Sequence, residues 1–160
     1  MNILELDSEA QKKAYYLNYI KENKMDKQSC LDLINNAILA RENAYAPYSK
    51  YRVGAALLSN SGEVFLGCNI ENSAYSETVC GERVAFFSAI SKGVRDFKAI
   101  AIVGGKDKIC SFASPCGACR QVMQEFCKDG FKVILFDGKD IKTYTLSELL
   151  PSCFNSSNLK

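Results

Sequence analysis

Whatever this chain folds into must bring two separated segments together. They are Thr78-Val79-Cys80-Gly81-Glu82-Arg83 and Ser114-Pro115-Cys116-Gly117-Ala118-Cys119-Arg120. Between them they supply three thiols and one carboxylate. Cys116 and Cys119 are three apart, so on a first helical turn both sulfurs point the same way. Cys80 completes a three-thiolate face, leaving the fourth tetrahedral position of a zinc ion open for water. Three protein ligands and one open position is the layout of a catalytic zinc site, whereas a structural site is closed by four. Glu82, two residues after Cys80, is placed to carry a proton to and from that water rather than to ligate the metal. The chain has no histidine. That removes a His ligand, an imidazole base and any Ser-His or Cys-His nucleophile, and leaves a carboxylate as the natural proton carrier. A redox C-x-x-C would need no distant C-x-E. A zinc ribbon would need a second C-x-x-C, which the eight cysteines do not contain.

Both segments open predicted helices, where free backbone N–H groups and the positive dipole end favour thiolate over thiol. Three thiolates on one zinc leave a net negative centre. Arg83, one helical turn after Cys80, can donate hydrogen bonds to ligand sulfurs and is read as the charge compensator.

The remaining properties narrow the class. At 160 residues, 48% apolar and 24% charged, one globular domain with a sizeable core is expected. The net charge is +2 and no run of Lys or Arg builds a basic face, which argues against a nucleic-acid substrate. With three cysteines claimed by the site, Cys30, Cys68, Cys110, Cys127 and Cys153 remain, and five cannot all pair; most lie among apolar neighbours as small reduced hydrophobes. No signal peptide, transmembrane run or lipidation motif is expected, so a membrane role is not, and a reducing cytoplasm is the simplest compartment.

Taken in order, residues 7–24 read as an amphipathic helix within an N-terminal extension, 1–28. A second helix starts near Ser29 or Asp32 and runs to Ala46-Pro47, where proline disfavours the helical region for its predecessor. Val53–Ser59 and Glu63–Cys68 form a hairpin around Asn60-Ser61-Gly62. Helices over Cys80–Lys92, closed by Gly93, and Cys116–Lys128 alternate with strands over Lys98–Gly104 and Lys132–Phe136. Ile141–Thr145 is the fifth strand. Thr145 then caps a short last helix with Glu148 in a T-x-x-E capping box. The order α-ββ-α-β-α-β-β-α gives a mixed five-stranded sheet with helices on both faces.

C-x-E followed by P-C-x-x-C resembles the zinc signature of nucleoside and nucleobase deaminases, with Cys standing where many members have His. The all-cysteine form resembles the homotetrameric cytidine deaminases more specifically. So do Ala46-Pro47-Tyr48-Ser49-Lys50-Tyr51, Val53-Gly54-Ala55-Ala56-Leu57 and Gly67-Cys68-Asn69-Ile70-Glu71-Asn72. The resemblance implies a three-layer α/β/α sandwich over residues 29–154, a 155–160 tail, one zinc per chain, and active sites shared within a homotetramer. It implies that Asn69 and Glu71 bind the ribose 3′-hydroxyl and that the Gly81 N–H holds the base carbonyl. Tyr51 would stack on the base, and Tyr75 and Phe154 would reach the pocket from neighbouring subunits. The implied reaction is hydrolytic deamination of cytidine and 2′-deoxycytidine in pyrimidine salvage. Glu82 moves protons in turn to N3 and to the departing amino group. An anionic Glu71 would repel a phosphorylated substrate. Two positions depart from the family pattern: Gly81 replaces the commoner alanine, and Tyr51 replaces phenylalanine, adding a hydroxyl that needs a partner. Competing readings are a deaminase of a modified cytosine compound such as blasticidin S, a polynucleotide-editing deaminase, and a non-catalytic zinc module; only the last has no use for Glu82.

Overall fold

The computed structural model describes residues 27–109 and 111–159; the helix expected over 7–24 lies outside them. Strand β3, Phe97–Gly105, is the middle of the sheet, and its apolar run is buried at every residue but Lys98. β-branched and small apolar residues covered on both faces have no polar alternation to offer, which is why the strand is legible as a continuous stretch. Around it stand β1 (Arg52–Ser59), β2 (Val64–Cys68), β4 (Lys132–Phe136) and β5 (Ile141–Thr145), in the order β2-β1-β3-β4-β5. β3 runs antiparallel to β1, with Ala55 opposite Ile102, and parallel to β4, with Ile102 opposite Leu135. The sheet is therefore mixed, as expected.

Helix α1, Lys27–Glu42, covers one face of the sheet. Its Cys30, Leu33, Ile34 and Ala37 pack on Ala56, Ala99, Ala101 and Ile134. Helices α2 (Gly81–Ser91) and α3 (Gly117–Phe126) cover the other, meeting Ala55, Leu57, Ile100 and Val133 through Ala85, Phe86, Cys119 and Met123. Phe86 anchors that side: its ring lies edge-on to Phe97 at 5.1 Å and within 6.3 Å of Phe131. Each such pair adds about 0.5–1.5 kcal/mol to the burial itself. Strands β1 and β2 carry a glycine where a helix comes closest. A Cβ on Gly54 would lie 2.0 Å from the Ala37 carbonyl oxygen in α1, and one on Gly67 would lie 2.2 Å from that of Gly81 in α2. The two helices rest on bare backbone.

Three boundaries differ from expectation by two residues or more. α1 stops at Glu42 rather than at Ala46-Pro47, because Tyr45 leaves to pair with the strand-like segment after β2. Its N–H donates to the Asn69 carbonyl at 3.0 Å, and its own carbonyl accepts from Glu71 N–H at 2.8 Å. A long-range pairing takes residues that local propensity would keep helical. α1 also begins at Lys27, ahead of Ser29. α3 ends at Phe126, with Cys127 already extended, so Lys128 lies in the loop to β4. The last helix, α4 (Leu146–Leu149), carries the expected capping box: the Glu148 amide donates to the Thr145 hydroxyl, and the Glu148 carboxylate accepts from the Thr145 amide. Among the described residues, no helix is long and apolar enough to cross a membrane.

Candidate metal centre

Cys80 is the N-cap of α2, Cys116 is the N-cap of α3, and Cys119 lies in the first turn of α3. Both helices pack on the same sheet face, so their N-terminal ends bring the three sulfurs together. Cys80 Sγ lies 3.8 Å from Cys116 Sγ, Cys116 Sγ lies 3.5 Å from Cys119 Sγ, and all three fall within 4.8 Å of one another. Tetrahedral zinc with sulfur ligands at about 2.3 Å requires a sulfur–sulfur spacing of about 3.8 Å. The donor set fits the ion. Cys119 is buried and Cys116 exposed, so the cluster has a closed side and an open one.

The electrostatics favour a bound cation. The Arg83 guanidinium donates to the Thr78 carbonyl at 3.0 Å and to Cys80 Sγ at 3.8 Å. Hydrogen bonds from Cys119, Arg83 and Cys116, together with the Arg83 charge, hold the Cys80 thiol well below the ordinary thiol range. Its hydrogen bond with Cys80 and its burial hold the Cys119 thiol high. Arg83 Nε is buried without a hydrogen-bond partner.

Glu82, only 5% exposed, lines a cavity of about 290 Å³ together with Cys80, Gly81 and Cys116. Burial pushes its carboxyl up to about 7, with the nearby Cys80 charge adding to the effect. Such a group exchanges a proton near neutrality, as a general acid–base must. Gly81 is buried against the end of β2: an added Cβ would sit 3.2 Å from Cys68 Cα and 3.3 Å from the Asn69 nitrogen. An alanine there would need these neighbours to give by a few tenths of an ångström.

Tyr51 and Asn69 line the same cavity. Asn69 is half committed to the backbone, with Oδ1 accepting from Val53 N–H and Nδ2 donating to the Tyr51 carbonyl, both at 2.8 Å. The Tyr51 hydroxyl finds its partner in Ser111 Oγ at 2.9 Å. Glu71 lies in an adjoining recess of about 370 Å³ with Tyr48, Ser49 and Tyr75, and Thr78 lines both spaces. Ser49 and the amides of Tyr48 and Ser49 hold the Glu71 carboxyl below its ordinary value. Tyr75 is 73% exposed and edge-on to Tyr48 at 5.9 Å. Phe154, 59% exposed, does not line the metal cavity of its own chain. Sequence reasoning left three participants without a role. Ser111 and Thr78 carry no motif signal, whereas Arg120 stands directly after Cys119 and was open to notice.

The comparisons with known proteins agree with this geometry. Residues 27–135 match the family described as cytidine and deoxycytidylate deaminase zinc-binding region. The chain is similar to the cytidine deaminase of Sporosarcina psychrophila, 53% identical over 128 residues, covering 79% of this chain and 92% of the relative. It is similar to that of Halalkalibacterium halodurans, 49% identical over 136 residues, covering 84% and 98%. The crystal structure of cytidine deaminase from Burkholderia pseudomallei superposes with a TM-score of 0.69 at 47% identity, covering 77% of this chain and 97% of that one. With three thiols converging beside a buried carboxyl, and with likeness of this extent to enzymes of one kind, the chain belongs to the cytidine deaminase family.

Proposed function

We propose that this chain hydrolyses cytidine and 2′-deoxycytidine to uridine and 2′-deoxyuridine with release of ammonia, in pyrimidine salvage. One observation carries the reading most: Glu82 is buried in the cavity that Cys80 and Cys116 line, with its carboxyl near neutrality. Cys80, Cys116 and Cys119 would hold one zinc ion per chain, which supplies Lewis acidity that makes water a nucleophile near neutral pH. Glu82 takes the proton of the attacking water and delivers it to N3 of the pyrimidine, which makes C4 more electrophilic. Oxygen bonds to C4; Glu82 then takes the proton of the new C4 hydroxyl and gives it to the amino nitrogen, the bond from C4 to that nitrogen breaks, and ammonia leaves as the C4 carbonyl forms. Arg83 keeps Cys80 ionised and offsets the negative charge of the cluster.

The other residues select and orient. Gly81 N–H holds the base carbonyl, and Tyr51 faces the ring. Asn69 retains one amide hydrogen and one lone pair beyond its backbone bonds, and Glu71 has free carboxylate capacity. Both are available to the ribose 3′-hydroxyl. An ionised Glu71 disfavours a phosphate at that position. Tyr45, Tyr48, Ile70 and Tyr75 form an exposed apolar rim beside the recess. Burial against further copies of the chain is the economical use of such a surface, in a homotetramer where Tyr75 and Phe154 complete a neighbour's pocket. Cys68, Cys80, Cys116, Cys119, Cys127 and Cys153 are free thiols, which suits a reducing cytoplasm.

The test is ultraviolet detection of cytidine conversion to uridine by purified protein, with Glu82→Gln alongside. The reading expects the variant to keep zinc and lose turnover by at least about 100-fold. Zinc-loaded wild type inert on both cytidine and 2′-deoxycytidine would overturn it.

A further inference from the structure

The residue following the last ligand makes three bonds that no role in binding or proton transfer accounts for. Arg120 Nε donates to the Pro115 carbonyl at 2.7 Å, Nη1 to the Leu149 carbonyl at 2.7 Å, and Nη2 to Ser114 Oγ at 3.1 Å. Ser114 and Pro115 form the turn that presents Cys116. Beyond the bond from Ser114 N–H to the Phe112 carbonyl at 2.8 Å, that turn has little of its own to hold it. Pro115 has no N–H to give, and Cys116 makes no side-chain cap to α3. Cys116 is also the most open of the three thiols. At the other end of the fork, the Leu149 carbonyl belongs to the last turn of α4, where no intrahelical donor remains. The planar guanidinium joins two otherwise separate pieces, with five donors in fixed directions.

We propose that Arg120 is a positioning residue for the metal centre, holding the Cys116 turn in its binding arrangement by tying it to the C-terminal end of α4. The link continues into the last segment of the chain, because Gln121 Nε2 donates to the Phe154 carbonyl at 3.0 Å. α3 therefore grips the metal turn, the end of α4 and the segment carrying Phe154 through two successive side chains. The proposal rests on the zinc reading of the cluster and reaches beyond it to the residue that keeps the cluster assembled.

The experiment reads zinc retention rather than activity. Zinc-loaded wild type, Arg120→Ala, Arg120→Lys and Gln121→Ala are mixed with excess chromogenic zinc chelator, and the release rate is followed. Loss of such a support typically weakens metal binding 10–100-fold. Both Arg120 variants are expected to release zinc about 10–100-fold faster than wild type, with Gln121→Ala close to wild type. Lysine supplies charge without the fork, so wild-type retention by Arg120→Lys would overturn the proposal, as would unchanged release from Arg120→Ala. If Arg120→Ala does not fold, Arg120→Lys decides alone. The outcome is independent of the substrate reading: slow release by a wild type that deaminates no cytosine nucleoside, accelerated in both variants, would sink the deaminase function and leave the Arg120 role standing.

Discussion

Replacing Gly67 by alanine tests whether the close approach of α2 to β2 sets the geometry of the metal centre. The added Cβ would lie 2.2 Å from the Gly81 carbonyl oxygen, 2.4 Å from the Ala85 nitrogen and 3.0 Å from Ala85 Cα. All three are backbone atoms of one helix, so no side chain can swing aside. Restoring even a 3.0 Å separation from the Gly81 oxygen moves the first turn of α2 away by about 0.8 Å. Cys80 and Glu82 ride on that turn, whereas Cys116 and Cys119 ride on α3 and stay. Overpacking of this kind costs about 1–3 kcal/mol, a fall in Tm of roughly 2–12 °C for a domain of this size. A displacement of about 1 Å in the reacting groups costs about 100-fold in rate. Gly67→Ala should therefore lose zinc affinity and about two orders of magnitude in kcat, measured by chelator competition and the cytidine assay. Gly62→Ala is the control. It sits in the β1–β2 turn at φ +95° with nothing within 4 Å of the added carbon, so it strains the backbone without touching α2. A Gly67→Ala protein with wild-type zinc affinity and turnover would refute the argument, whatever its Tm.

Two further outcomes follow from the same geometry. Tyr51→Phe and Ser111→Ala each break the 2.9 Å bond between the two hydroxyls; each should change kcat/KM by about 3–10-fold, with the double variant no worse than the worse single one. Additive losses would show the Tyr51 hydroxyl acting on the substrate directly. The capping box gives a pH signature. Bonds from Thr145 lower the Glu148 carboxyl below its ordinary 4.5. A depressed folded value means the ionised carboxylate stabilises above the unfolded pKa, and the contribution vanishes as pH falls through the folded one. The Tm gap between wild type and Glu148→Gln should be open at pH 6 and close as pH drops below about 4.5. A gap that persisted in acid would contradict the assignment.

How much was legible depended on the range of the interaction that fixed each feature. β3 could be read because its apolar run needs no partner to announce itself, and the Thr145–Glu148 box because both halves lie within one turn. The three cysteines and Glu82 were legible because their chemistry limits what such a set can do. Residues whose state depends on a distant segment were misread or unread. The end of α1 is decided by Tyr45 pairing across to Asn69 and Glu71, which no local pattern reports. The resemblance implies that Asn69 and Glu71 bind one ribose hydroxyl together. In the fold they serve adjoining spaces, and the Asn69 amide is half committed to Tyr51 and Val53. Gly54 and Gly67 look like ordinary strand glycines until a helix backbone lies against them.

The most direct test of the account is the zinc content of the purified, folded protein, measured with cytidine turnover on the same sample and on Cys80→Ser, Cys116→Ser and Cys119→Ser. Three thiolates with an open fourth position predict about one zinc per chain in the active wild type. Each single serine variant should lose both metal and turnover. A folded wild type that deaminates cytidine without zinc, or a serine variant that keeps metal and activity together, would contradict the three-thiolate centre.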